Sequence, residues 1–130
     1  MDGVTTVVSP LDHAATLRRL DQVLAERGLQ VFGRIDHAAN AAAVGLDMPP
    51  STVVMFGNAR AGTPVMLAVP QLGLDLPLRV LVREDDQGRV LLDYHDPEHL
   101  TAGHAVPPDL AAGLAGIVAV IDAVRAPTSR

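Results

Sequence analysis

Leu78-Arg79-Val80-Leu81-Val82-Arg83-Glu84-Asp85-Asp86-Gln87-Gly88-Arg89-Val90-Leu91-Leu92-Asp93-Tyr94 is the stretch that decides the fold. Two apolar arms, Leu78 to Glu84 and Arg89 to Tyr94, are joined by a four-residue polar turn. Gly88 can take the positive φ that such a hairpin needs. In the first arm Leu78, Val80 and Val82 alternate with Arg79, Leu81 and Arg83. One face is therefore apolar and the other mixed, the pattern of a sheet covered by a core on one side. An explicit hairpin argues against a doubly wound parallel sheet, and no Gly-rich phosphate loop follows the first strand.

Working outward, Thr52 to Phe56 is a strongly apolar strand preceded by the stiff linker Met48-Pro49-Pro50. Leu29 to Ile35 reads as another strand. Asp36 then caps a short Ala-rich helix, His37 to Val44, stopped by Gly45. Val4 to Val8 is a β-branched strand. A helix over 11–27 follows, with Ser9 as cap, Pro10 at its first position and Asp12 in its first turn. Leu17, Leu20, Val23 and Leu24 form its apolar stripe, and Gly28 is its left-handed stop.

On the other side of Phe56, Thr63-Pro64 is a cap-plus-proline signature that opens a short helix, Val65 to Val69, broken by Pro70. Asp96-Pro97 repeats the signature for a short helix or turn through Leu100. Pro107-Pro108-Asp109 introduces a last helix with a stripe of Leu110, Leu114, Ile117, Val118 and Ile121. The order predicts one α+β domain over residues 1–130: a five-stranded, mainly antiparallel sheet with two principal helices on one face.

Composition narrows the function. The chain has 130 residues, is 48% hydrophobic and contains only three aromatic side chains, Phe32, Phe56 and Tyr94. Its core must be aliphatic, and a stacking platform for bases is not available. Twelve Asp and three Glu oppose ten Arg and no Lys, for a net charge of −5. The arginines are scattered, so nucleic-acid binding is not expected. The absence of cysteine excludes disulfides, thiolate metal ligands and a Cys nucleophile. No apolar run reaches the roughly 18 residues of a membrane span, and no basic-then-apolar leader pattern follows Met1. A cytoplasmic protein without a membrane partner is the expectation.

The candidate site residues each carry two readings. Asp36 and His37 are an acid–base pair, or a cap and a first-turn residue. Asp75, between Leu74 and Leu76 in a segment expected to be partly buried, is a perturbed base or a carboxylate bonded to backbone N–H groups. Asn58 and Thr63 flank Gly62 near a helix start, as an anion or carbonyl cradle or as turn and cap residues. Tyr94 is a ligand donor or a buried ring. His95, His99 and His104 are candidates for a metal, and His104, if it faces a cavity, for a haem contact. Ser9, Ser51 and Ser129 lack the G-x-S-x-G context of a hydrolase.

The chain also resembles the domain of unknown function 302 family. The resemblance is carried by Phe56-Gly57-Asn58, Gly62-Thr63-Pro64 with Met66, Leu74-Asp75-Leu76-Pro77-Leu78, Val82 with Glu84-Asp85, and Tyr94 with Asp96-Pro97. Ile35-Asp36-His37, Gly45-Leu46 and His104 extend it over almost the whole chain. Ala59, Arg79, His95 and Gly103 stand where the family commonly has Pro, Lys, Asn and Arg. The resemblance implies a TATA-binding-protein-like β-α-β4-α fold and a homodimer, and it brings no settled activity, cofactor or catalytic residue.

Two functional expectations follow. The first is a dimeric, non-enzymatic module that binds a small apolar ligand or a protein, with an aliphatic pocket reached from Asn58, Asp75 and Tyr94. The alternative is an enzyme that uses Asp36, His37, Asp75 or the His95–His104 group in acid–base or metal-assisted (haem) chemistry.

Overall fold

The computed structural model describes residues 1–127; Ser129 lies outside them. Strands β1 (Val4–Val8), β2 (Gln30–Asp36), β3 (Ser51–Gly57), β4 (Leu78–Glu84) and β5 (Val90–His95) form one sheet in the order β1-β5-β4-β3-β2, with every neighbouring pair antiparallel. This is the expected β-α-β4-α arrangement. Helix α1 (His13–Glu26) carries the chain from edge strand β1 to the opposite edge, β2. Three further strands then fill the sheet between them by successive antiparallel neighbours, with α2 (His37–Ala43) and α3 (Ala59–Ala68) inserted between strands. Helices α4 (Pro97–Thr101), α5 (Pro108–Leu114) and α6 (Gly116–Arg125) follow the sheet.

Register explains which face is covered. Val54 pairs with Val80, Val80 with Tyr94, and Val82 with Leu92. These side chains point to one face, where Leu20, Val23 and Leu24 of α1 meet Ile117, Val120, Ile121 and Val124 of α6, all buried. The spacing of the α6 residues, i, i+3, i+4 and i+7, is that of a helix facing a core. Each buried aliphatic side chain contributes roughly 1.5–3 kcal/mol relative to exposure. A second, smaller core of Val65, Leu72 and Leu114 holds α3 and α5 together, with Leu76, Leu78 and Leu110 packed against it. Among the described residues, the other face of the sheet has no helix layer like that of α1 and α6.

Several boundaries differ from the sequence reading, each for a local reason. Asp12, not Ser9, caps α1, accepting from Ala15 N–H at 2.8 Å. Ser9 is already engaged, with its N–H on Val90 O and its hydroxyl paired with Thr16 Oγ1 at 2.7 Å. Helix α3 starts at Ala59, before Thr63-Pro64, because Asn58 Oδ1 accepts from Arg60 N–H at 2.8 Å and opens it earlier. Pro64 lies inside that helix. The helix ends at Ala68, since Val69 before Pro70 is extended with φ −134°. The expected last helix is two, parted at Ala115, so Val118 is exposed while Val120 and Val124 are buried.

The turn between β4 and β5 is fixed by Asp85. Its carboxylate accepts from the N–H groups of Gln87 and Arg89 at 3.0 and 2.8 Å and from Arg89 Nε at 2.8 Å. Gly88 takes φ +78°. Burial disfavours the charge on Asp85, but the Arg89 and Gln87 donors outweigh it and hold the carboxyl below its ordinary pKa of 3.8. A carboxyl whose folded pKa is lowered contributes stability that is present above its unfolded pKa and lost as pH falls through the folded one. Asp85→Ala is therefore expected to lower the unfolding midpoint at neutral pH. The gap to the native chain should narrow once pH drops below 3.8. Thermal melts across that range check this, and a gap that stays constant with pH contradicts it.

Candidate functional site

The sheet and α3 leave a cavity of about 270 Å³ beside the second core. Its walls come from the end of β3 (Gly57, Asn58), from α3 (Ala59, Ala61, Gly62, Thr63, Met66), from Leu76-Pro77-Leu78, from α5 (Gly113, Leu114) and from Phe32 on β2. The void exists because the α3 wall is built of small residues. A Cβ added at Gly62 would meet nothing within 4 Å. One added at Gly113 would stop 3.5 Å from Ala61 Cβ, so a larger residue there would press on α3. The floor is aliphatic, and the polar groups are confined to Asn58 and Thr63. Asn58 is committed to capping α3, so Thr63 supplies the hydroxyl in an otherwise apolar lining. Such a cavity suits a small, mostly neutral molecule.

A second concavity lies on the uncovered face of the sheet, with a volume of about 680 Å³. The register places Val4 beside His95 and Met55 beside Arg79. One step beyond the Val80–Tyr94 pair, Arg79 and His95 are cross-strand neighbours. In the next row Thr6, Asp93, Leu81, Val53 and Ile35 run across all five strands. Asp93 is held from two sides, by Thr6 Oγ1 at 2.5 Å and by Arg83 Nε at 2.5 Å. The hydrogen bond to Asp93 raises the Arg83 guanidinium above its already high pKa, despite partial burial.

The sequence candidates are divided between these places. Asn58 and Thr63 line the first cavity; His37, Tyr94 and His95 line the second; Asp75 lines neither. The expected single pocket reached from Asn58, Asp75 and Tyr94 is not formed. Asp75 is exposed rather than partly buried, because Leu74 beside it is 86% exposed at the end of a 3-10 turn, Pro70–Leu74. Asp36 caps α2 by accepting from Ala39 N–H at 2.9 Å. The Tyr94 ring belongs to the main core, and burial raises its pKa above 10.0. Thr5 Oγ1 donates to Asp96 beside it.

His95 and His99 stack with ring centroids 5.8 Å apart and planes 17° from parallel. Gly3, at φ +77°, lets the His99 ring press on the chain, since a Cβ there would lie 2.2 Å from Nδ1. His104 is half-buried and lines neither cavity. Among the described residues, no group of three or more His, Asp or Glu side chains is placed to hold a metal ion. What sequence reasoning missed in the first cavity are its apolar walls, Phe32, Met66, Pro77 and Leu114. The available signal was the set of small residues Gly57, Ala59, Ala61 and Gly62.

The chain belongs to the family described as Domain of unknown function DUF302, which it matches over residues 5–124. Its fold is similar to that of the uncharacterized conserved protein DUF302 from Bacillus stearothermophilus, with a TM-score of 0.79 and 21% identity over 96% of this chain and 97% of that one. It is also similar to fluoride-specific ion channel FluC 1 of Brucella suis biovar 1 and fluoride-specific ion channel FluC 2 of Brucella melitensis biotype 1. Both are 39% identical over 104 residues, 80% of this chain but only 41% and 38% of theirs. The chain thus spans about two fifths of the length of those relatives. Among the described residues no helix is long and apolar enough to cross a membrane.

Proposed function

We propose that this chain is a non-enzymatic module that binds a small, largely apolar molecule and works as a homodimer. The observation that carries the first part is the cavity between α3, Leu76-Pro77-Leu78 and α5. It is concave and apolar, and its volume of about 270 Å³ lies near the lower end of small-molecule sites. Nothing in it is arranged for bond-making: Thr63 has no histidine or carboxylate among the other lining residues. The Asp36–His37 and Asp75 groups of an acid–base reading lie outside it.

The dimer is supported by the segment from β2 to residue 50. Val31, Phe32 and Ile35 on the β2 edge are exposed, and so are Val44, Leu46 and Met48, with Val44 at 72% and Leu46 at 63%. Free strand edges and clustered apolar side chains are features that partners cover. A second copy of this chain supplies the matching surface.

A second reading is favoured by the similarity to fluoride-specific ion channels. In it the domain accompanies an anion channel and senses the ion.

Three measurements separate these readings. The neutral fluorophore N-phenyl-1-naphthylamine is expected to bind saturably, and Gly62→Leu, which projects a side chain into the void, to abolish the signal while the fold persists. Unaltered fluorescence with Gly62→Leu would sink the cavity reading. Sedimentation velocity is expected to show a dimer that the double substitution Val44→Asp, Leu46→Asp converts to a monomer; a native chain that sediments as a monomer contradicts it. For the second reading, fluoride is expected to shift backbone amide resonances saturably where chloride at equal ionic strength does not. Identical responses to the two salts would remove it.

A further inference from the structure

We infer that the uncovered face of the sheet is a second binding site, which takes a small amphipathic carboxylate: an apolar body with one anionic head. The inference is independent of the apolar cavity beside α3 and uses none of its residues.

The charge pattern comes first. Two arginines, Arg79 and Arg83, line this concavity. Arg83 is neutralised by Asp93, one strand away, and that carboxylate is further occupied by Thr6. Arg79 has no acidic partner among the described residues, although the chain has five more negative than positive formal charges. His95, its neighbour across β5, lines the same concavity, and its Nδ1 is buried with no hydrogen-bond partner. His37 stands on the rim. The unpaired Arg79 guanidinium is a charge-assisted donor for one carboxylate. Asp93 is the acidic side chain in the lining, and its pairing with Arg83 leaves the local balance positive.

The apolar part comes from the neighbouring positions. Val4, Ile35, Val53 and Leu81 line the concavity around Arg79, on strands held in antiparallel register. They present aliphatic surface next to the free cation. The volume of about 680 Å³ is that of a small-molecule site. A second copy of this chain in an isologous contact brings the same unpaired arginine to this face, and the carboxylate in its lining, Asp93, is already paired with Arg83. A small anion with a short aliphatic body fits both features.

The test uses the full chain and octanoate, with octan-1-ol as the uncharged control, followed by calorimetry and backbone amide shifts. Octanoate is expected to bind saturably at about 1 mM or below, with shifts on residues 79–81 and 93–95. Read at residues 79–81 and 93–95, octan-1-ol should bind at least about tenfold more weakly. Arg79→Gln is expected to weaken octanoate about tenfold, and Arg79→Lys, which keeps the charge, to weaken it less. Arg79 is exposed, so both variants should melt with the native chain. Gly62→Leu should leave octanoate binding unchanged, which separates this site from the cavity beside α3. The inference is overturned by equal binding to Arg79→Gln, by equal binding of octan-1-ol at residues 79–81 and 93–95, by shifts confined to residues 57–66 and 113–114, or by no saturable binding.

Discussion

Everything in this molecule depends on α1 and α6 packing against one face of the sheet. Leu20, Leu24, Ile117 and Ile121 press on Val54, Phe56, Val80, Val82 and Leu92, and none of these is more than 1% exposed. The side chains are almost all aliphatic, since the chain has no Trp and a single Tyr. Close packing of branched aliphatic residues is what specifies one register here, because a one-residue slip would turn Val80 and Val82 outward and Arg79 and Arg83 inward. The antiparallel hairpin and its Asp85 turn hold that register at the centre of the sheet.

One-sided packing determines where binding can occur. Under α1 and α6 the covered face is filled by buried side chains. Two regions have the concave, partly apolar lining of a small-molecule site. Beside the main core, α3 and α5 form a smaller hydrophobic unit in which glycines and alanines leave space next to Met66, Leu76 and Leu114. On the opposite face, side chains of alternate residues stand free of any helix layer, and their charges either pair, as Arg83 and Asp93 do, or wait for a partner, as Arg79 does. The two regions differ in chemistry: the first is close to neutral, and the second offers a cation beside aliphatic surface.

Much of the fold was legible because it is written in local signals. The β4–β5 alternation, Gly88, the apolar stripe of α1 and the Ala-rich α2 with its Asp36 cap read directly. The family resemblance added the β-α-β4-α arrangement, while the strand order β1-β5-β4-β3-β2 is apparent only in the structure. Capping residues were misassigned where two candidates competed: Asp12 over Ser9, Asn58 over Thr63. The break at Ala115 was invisible because Leu114 and Ile117 fit one continuous helix as well as two. The site was less legible. Asn58 and Thr63 mark the mouth of a real cavity, but its walls come from β2, α3, the segment before β4, and α5, which only tertiary packing brings together. Arg79 is unremarkable in the sequence, and its free charge is apparent only once Asp93 is seen committed to Arg83.

The direct test of the central claim, a ligand-binding cavity beside α3, is an intermolecular NOE measurement. Methyl-labelled protein would be saturated with N-phenyl-1-naphthylamine and scanned for contacts to the probe's aromatic protons. Contacts from the methyl groups of Met66, Leu76 and Leu114 are the expected result. Contacts confined to other methyls, or none at saturation, would contradict it.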